Sequence, residues 1–137
     1  MIDTLVRSDL VHARHSAAEL TAELHAVLDA CADLEGRLDA IRTFRHQEFL
    51  RIAIADLAGE LALPDVQAEL TQLAETVLRE ALALAYREAQ VRYHLPPGLK
   101  LCVMAMGRMG AEEMSYNSDL DLIFVYFLPD EVAAGRK

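Results

Sequence analysis

The feature that most constrains this chain is a pair of short apolar runs separated by a polar loop that contains glycines. The runs are Leu101–Met106 and Leu120–Leu128. Both are short and bounded, and the second is rich in β-branched and aromatic residues, so the pattern predicts two buried strands. Three long helical patterns precede them. The sequence therefore predicts an α+β fold in which an N-terminal helical bundle of three long helices leads into a sheet.

The loop ends in two carboxylates at the start of the second run, in the sequence Ser118-Asp119-Leu120-Asp121. Side chains alternate along a strand, so Asp119 and Asp121 are expected to point to the same side. Two carboxylates on one face form a hard oxygen site suited to Mg²⁺ or Mn²⁺. Such a pair also occurs at the solvated ends of ordinary strands, and this alternative stays open.

Two glycines, Gly107 and Gly110, precede the acidic pair in the same loop. Glycine permits tight turns and a close approach of the backbone, as loops that hold phosphate groups require. Two glycines at this spacing are also frequent in plain turns. The combination of these glycines with Ser118 and the two aspartates, all between two strands, favours metal-dependent nucleotidyl transfer.

The segment 105–124 resembles the glutamine synthetase adenylyltransferase family, also called glutamate–ammonia ligase adenylyltransferase, within the polymerase-β-like nucleotidyltransferase superfamily. It reads AMGRMGAEEMSYNSDLDLIF. The family pattern is similar to G-x-G-K-[LM]-G-G-x-E-[LM]-x-[YF]-x-S-D-[LI]-D-L-[IV]-F. Residues 44–59 are similar to the helix that precedes the family's catalytic domains, so the resemblance covers about residues 40–128.

Three positions depart from the family pattern within this segment. Ala105 and Ala111 stand where the family has glycine, and Arg108 stands where it has lysine. Alanine is tolerated where φ is negative, and arginine keeps the charge and can form a fork onto phosphate. The family's further acid, in a segment resembling D-x-R-L-R-P, does not occur before Lys137. The 137 residues are therefore expected to be a fragment with little activity alone.

The resemblance implies transfer of AMP from ATP to a tyrosine of glutamine synthetase, its removal by phosphorolysis, or both. Asp119 and Asp121 are the implied catalytic residues and ligands of Mg²⁺ or Mn²⁺. The implied contacts with ATP come from Gly107, Arg108, Gly110 and Ser118. The implied partners are glutamine synthetase and a PII-type regulatory protein, in a role that regulates nitrogen assimilation.

The implied organisation is a helical scaffold over residues 1–97, followed by the start of an incomplete nucleotidyltransferase domain over residues 98–137, which holds the first strands of a nucleotidyltransferase-type mixed sheet. A rival interpretation is a catalytically inactive helical module for protein interaction, with a vestigial metal site. A third is a small nucleotidyltransferase that acts on another substrate and receives its third carboxylate in trans from an oligomer.

Capping residues and helix breakers predict the bounds of the helices. Ser16 and Glu19 form a capping box for the first helix, after a weakly patterned lead-in over residues 1–15. The second helix is predicted from Asp33 to Ala58. The third begins at Pro64, runs past Val91 and stops before the Pro96-Pro97-Gly98 sequence.

Several side chains are assigned structural roles at this stage. The arginines at 42, 45 and 51 are expected on a solvated helix face, and none of the five histidines is expected to bind a metal. Tyr116 packs either over the loop or in the core. Both cysteines, Cys31 and Cys102, are expected to be core thiols.

Composition excludes several classes of protein. The 137 residues are 53% apolar and 26% charged, which predicts a soluble globular chain with a real core. The net charge of −9 argues against a general nucleic-acid binder, which needs a basic face. There is no run of membrane-spanning length and no signal-peptide pattern at the N-terminus. With two cysteines no disulfide framework is indicated, and a cytoplasmic location is expected.

Overall fold

The computed structural model describes residues 15–128, and nearly all of the predicted lead-in and the loop around Asp130 and Glu131 lie outside them. An α+β fold is confirmed, with three long helices followed by a small sheet. The elements in order are α1 (Ala17–Asp29), α2 (Leu34–Leu57), α3 (Leu63–Tyr93), β1 (Lys100–Ala105), the single turn α4 (Gly107–Gly110) and β2 (Leu122–Phe127). No helix in this part of the chain is long and apolar enough to cross a membrane.

The helix ends lie where the capping residues predict them. The Glu19 N–H donates to Ser16 Oγ, and the Ser16 N–H donates to Glu19 Oε2 at 2.8 Å, which confirms the capping box. The Asp33 side chain accepts from the Gly36 N–H at 2.7 Å and caps α2. Helix α3 ends at Tyr93, and the capping residue that follows, His94, has a left-handed backbone with a φ of 49°.

One buried cluster joins the three helices and extends into the loop that follows β1. Met109 and Met114, which lie in that loop, are 3% and 6% exposed and belong to the same cluster as the helical side chains. Burial of each such side chain contributes about 1.5–3 kcal/mol. The loop is therefore packed on the bundle. The helical members of the cluster are Leu20, Leu24, Leu28, Ile41, Phe44, Ile52, Val66, Leu70, Leu73 and Leu84.

The two strands pair antiparallel, with Lys100 opposite Phe127 and Ala105 opposite Leu122. The prediction that both strands are buried is wrong for the described residues. The exposed members include Leu101, Met104, Ile123, Phe124 and Phe127. The reason is that the helical cluster reaches only the end of the sheet near the loop, where Ala105 and Leu122 pack against it.

The cysteine prediction is also wrong. Cys31 lies just beyond the end of α1 and is half-buried, with its Sγ 3.3 Å from the Val27 carbonyl oxygen. Cys102 is exposed because it lies on β1, whose faces are largely uncovered by the rest of the described chain. Neither thiol contributes to the core.

Arg51 is the exception to the predicted solvated face of arginines. It is 6% exposed, and its Nε donates to Glu48 Oε2 at 2.9 Å while Nη2 donates to Glu69 Oε2 at 2.6 Å. Burial alone would lower the pKa of Arg51, but the hydrogen bonds with Glu48 and Glu69 raise it above its usual value. The apolar periodicity of α2 gave no sign of this, because Glu69 approaches Arg51 from α3.

We expect Arg51→Met to lower the free energy of unfolding by about 3–5 kcal/mol, because it leaves two buried carboxylates without their cation. Urea unfolding followed by circular dichroism measures this change. The matched control is Arg42→Met, since Arg42 pairs with Asp39 where both side chains are about two-thirds exposed. That variant is expected to change the unfolding free energy by less than about 1 kcal/mol. An equal loss of unfolding free energy in the two variants would contradict the buried, paired role of Arg51.

Candidate functional site

The loop between β1 and β2 begins with the turn α4, where Gly107 has a φ of +55°. A Cβ at this position would lie 2.5 Å from Asp121 Oδ2, so the glycine backbone packs directly against the carboxylate. The Met106 N–H donates to the Asp121 carbonyl at 2.8 Å and holds the two ends of the loop together. The close backbone approach predicted for Gly107 is therefore made to Asp121 itself.

The second glycine serves the turn and does not line the cleft formed by the loop. A Cβ on Gly110 would lie 2.5 Å from the Ala105 carbonyl oxygen, because the turn folds back over the end of β1. Ala111, one of the departures from the family pattern, has a φ of −89°. A negative φ accommodates alanine without strain, so this departure leaves the turn intact.

The loop surrounds a polar cleft of about 480 Å³, which brings four of the predicted site residues together. Strand β2 begins at Leu122, two residues later than predicted, so both aspartates precede the strand. They are exposed to solvent and line the same cleft. The lining residues are Arg108, Ser115, Asn117, Ser118, Asp119 and Asp121.

Two serines brace the loop beside the aspartates. The Ser115 N–H donates to Ser118 Oγ at 2.8 Å, the Ser118 N–H donates to the Ser115 carbonyl at 3.0 Å, and the two hydroxyls share a hydrogen bond. Arg108 Nη1 donates to Ser115 Oγ at 2.7 Å. Sequence reasoning missed Ser115 and Asn117. The signal for Ser115 was its spacing from Ser118, since serines commonly hydrogen-bond backbone groups nearby in turns.

Tyr116 turns away from the cleft and packs on the helices. Its hydroxyl donates to Asp56 Oδ2 at 2.8 Å, and its ring meets Phe49 edge-on with centroids 5.4 Å apart. Burial, the hydrogen bond to Asp56 and the negative charges of Asp56 and Glu69 raise the pKa of Tyr116 to about 12. The phenol is therefore neutral and able to donate at physiological pH.

A second group of potential metal ligands consists of His15 before α1, Glu23 on α1 and Glu48 on α2. His15 Nδ1 is 3.1 Å from Glu48 Oε2 and 3.8 Å from Glu23 Oε2. The spacing of these residues in the sequence gave no indication that they meet. The guanidinium of Arg51 already donates to the same Glu48 oxygen, and its positive charge disfavours a metal cation there. The prediction that the histidines bind no metal stays a prediction.

A larger groove of about 800 Å³ runs between α3 and β1. Its lining is mostly apolar, with Leu78, Leu82 and Val103 among its members, and its charged residues are Glu75, Arg79 and Lys100. It lacks the paired carboxylates that a hard cation requires. The smaller cleft around Asp119 and Asp121 is the better candidate for phosphate and metal chemistry.

Comparison with known proteins identifies relatives of the whole chain. The profile of the family described as glutamate-ammonia ligase adenylyltransferase matches residues 1–137. The bifunctional glutamine synthetase adenylyltransferase/adenylyl-removing enzyme of Neisseria meningitidis serogroup B is 32% identical over 127 residues. Proteins of the same name from Chromobacterium violaceum and Pseudomonas putida are 35% and 34% identical.

Each of these three alignments covers 92% of this chain but 14% of the relative. The chain thus corresponds to a small part of each relative. On the profile match and these identities together, the chain belongs to the glutamate-ammonia ligase adenylyltransferase family.

Proposed function

We propose that the loop over residues 107–121 is the metal- and phosphate-binding loop of an enzyme that transfers AMP between ATP and a tyrosine of glutamine synthetase. The observation that carries this proposal is the shared cleft of Asp119, Asp121, Arg108 and Ser118. The names of the relatives supply glutamine synthetase as the acceptor class. A cytoplasmic location, a PII-type regulatory partner and a role in nitrogen assimilation belong to the same proposal.

The cleft residues fit a divalent cation such as Mg²⁺ or Mn²⁺. Asp119 and Asp121 offer exposed carboxylate oxygens, and further ligand positions are open to water and phosphate. Because Gly107 has no Cβ, Asp121 Oδ2 occupies space that the side chain of any other residue would fill. When bound, the cation neutralises phosphate charge and lowers the pKa of an attacking hydroxyl.

The chain's own residues orient the reactants. Arg108 presents a guanidinium to phosphate oxygens and Ser118 offers a hydroxyl, while Gly107, which is not among the lining residues, leaves room for the Asp121 carboxylate beside them. In the forward direction the tyrosine oxygen forms a bond to the α-phosphorus of ATP, and pyrophosphate leaves. In the reverse direction inorganic phosphate attacks the adenylyl phosphorus and the tyrosine is released.

The exposed apolar side chains on β1 and β2 support a sheet with further strands. Leu101, Ile123 and Phe124 are each more than 40% exposed, and two-stranded sheets are marginal in water. We propose that residues 98–137 begin a nucleotidyltransferase domain and that residues 1–97 form its helical scaffold. The rival candidate is a helical module for protein interaction. In that case the same exposed apolar surface would contact a partner protein, and no metal would bind.

Metal binding separates the two candidates. We expect Mn²⁺ to broaden the amide signals of residues 107–121 in the ¹⁵N-labelled full chain. Asp119→Asn and Asp121→Asn are each expected to weaken Mn²⁺ binding at least about tenfold, since even outer-shell changes at metal sites cost about 10- to 100-fold. ATP binding, measured by calorimetry with and without Mg²⁺, should require Mg²⁺ and should likewise weaken in both variants.

The control for this experiment is Asp39→Asn, because Asp39 is an exposed carboxylate on α2 that pairs with Arg42. It is expected to bind Mn²⁺ as the wild-type chain does. Broadening that persists in both cleft variants, or that is absent from a folded wild-type chain, would support the interaction module.

Gly107→Ala is expected to abolish Mn²⁺ binding, because the added Cβ would displace the Asp121 carboxylate. The matched control is Gly59→Ala, where φ is +76° but nothing lies within 4 Å of the added atom. Both variants bear the strain of a positive φ, about 1–2 kcal/mol. Only Gly107→Ala should lose Mn²⁺ binding. If both variants bind Mn²⁺ equally well, the packing of Gly107 against Asp121 is not required for the metal.

We expect the 137 residues by themselves to transfer little AMP. In the described part of the chain the cleft carries two carboxylates, and the sheet leaves apolar faces exposed. Incubation with glutamine synthetase, Mg²⁺ and ATP labelled at the α-phosphorus measures transfer directly. Strong labelling of glutamine synthetase by the wild-type chain but not by Asp119→Asn would show that these residues suffice.

A further inference from the structure

The loop that carries the aspartates is joined to the helical bundle by a specific polar contact. The Tyr116 hydroxyl donates to Asp56 Oδ2 across a separation of 60 residues. Asp56 lies in the last turn of α2, and Tyr116 lies three residues before Asp119. The contact therefore connects the end of a long helix to the segment that enters the candidate metal site.

Short hydrogen bonds within the loop connect Tyr116 to the residues that line the cleft. Tyr116 lies between Ser115 and Ser118, which hydrogen-bond each other through backbone and side-chain groups. Arg108 is also connected to these serines, because its Nη1 donates a hydrogen bond to Ser115 Oγ. Asp119 follows Ser118 directly, so a shift of Tyr116 would move the serines and the first carboxylate with it.

The loop also makes apolar contacts with the bundle within the described residues, and these are less directional. Met109 and Met114 are buried against the helices, but methionine is flexible and tolerates several packings. A hydrogen bond to a carboxylate fixes distance and angle and is stronger than one between neutral groups. The edge-on contact with Phe49 restricts the plane of the Tyr116 ring.

We propose that the Tyr116–Asp56 hydrogen bond is a positioning contact through which the helical bundle fixes the Asp119–Asp121 loop in its metal-binding geometry. The inference rests on the proposed function for the part that concerns the metal. Neither residue touches the cleft. They act through the loop, because the Tyr116 hydroxyl donates to Asp56 and not to a residue that lines the cleft.

Hydrogen exchange tests the positioning without reference to the metal. In the full chain, Tyr116→Phe keeps the ring and removes the hydroxyl. We expect amide exchange at Ser115 and Ser118 to rise about tenfold, the usual scale of losing a hydrogen bond to a charged group. Asp56→Ala should give the same rise, and the double variant should give no more. Unchanged exchange in Tyr116→Phe, or additive effects, would overturn the proposal.

A second tyrosine in the same chain provides the matched control. The Tyr86 hydroxyl, on α3, donates to the Leu99 carbonyl at 2.9 Å and ties the bundle to the segment before β1. Tyr86→Phe should leave exchange at Ser115 and Ser118 unchanged. Asp56→Asn retains an acceptor oxygen and should keep more protection than Asp56→Ala. An equal rise in Tyr86→Phe, or equal losses at Asp56, would show a general loosening instead of a positioning contact.

Mn²⁺ binding then tests the link to the site. If the wild-type chain binds Mn²⁺, Tyr116→Phe and Asp56→Ala should weaken binding about five- to tenfold, within the range for changes outside the ligand shell. Undiminished binding in both variants would overturn the positioning role. If the wild-type chain binds no Mn²⁺, the proposed function fails, and the exchange results still decide whether Tyr116 and Asp56 hold the loop.

Discussion

The burial of Met109 and Met114 in the helical core is the interaction on which the arrangement of the site depends. These two side chains come from the loop between β1 and β2, yet they complete a cluster otherwise built by α1, α2 and α3. Without that burial the short sheet would have little to pack against, since most of its own apolar side chains are exposed. The bundle thus serves as the rigid support on which a solvent-facing loop is held.

The interior of this support contains charge as well as apolar surface. Arg51 lies between Glu48 and Glu69, and one oxygen of Glu69, Oε1, is buried with no hydrogen-bond partner among residues 15–128. Such a network contributes little net stability compared with apolar packing, but removing its cation is costly. The network links α2 to α3, since Arg51 lies on α2 and Glu69 lies on α3.

Local signals in the sequence accounted for the helices, the order of elements and four of the six residues that line the cleft. Capping at Ser16 and Asp33 and the breaker at Pro96-Pro97-Gly98 are short-range effects, and they held in the structure. Contacts between distant residues could not be predicted in this way. Arg51 meets Glu69 and Tyr116 meets Asp56 only after the helices pack. The burial of the strands was misjudged for the same reason, because an apolar pattern does not show which element will cover it.

The charge of the chain explains why metal and nucleotide binding should be coupled at this cleft. A net charge of −9 repels a triphosphate, and Asp119 and Asp121 add local repulsion where the phosphates would lie. Arg108 is the one cation among the residues that line the described cleft, and part of its hydrogen-bonding capacity is used by Ser115. A single guanidinium cannot balance two carboxylates and the phosphates together. Under the proposed function, a divalent cation held by the aspartates would turn this repulsion into attraction, so the acidic pair that weakens nucleotide binding alone would favour binding of the nucleotide together with its metal.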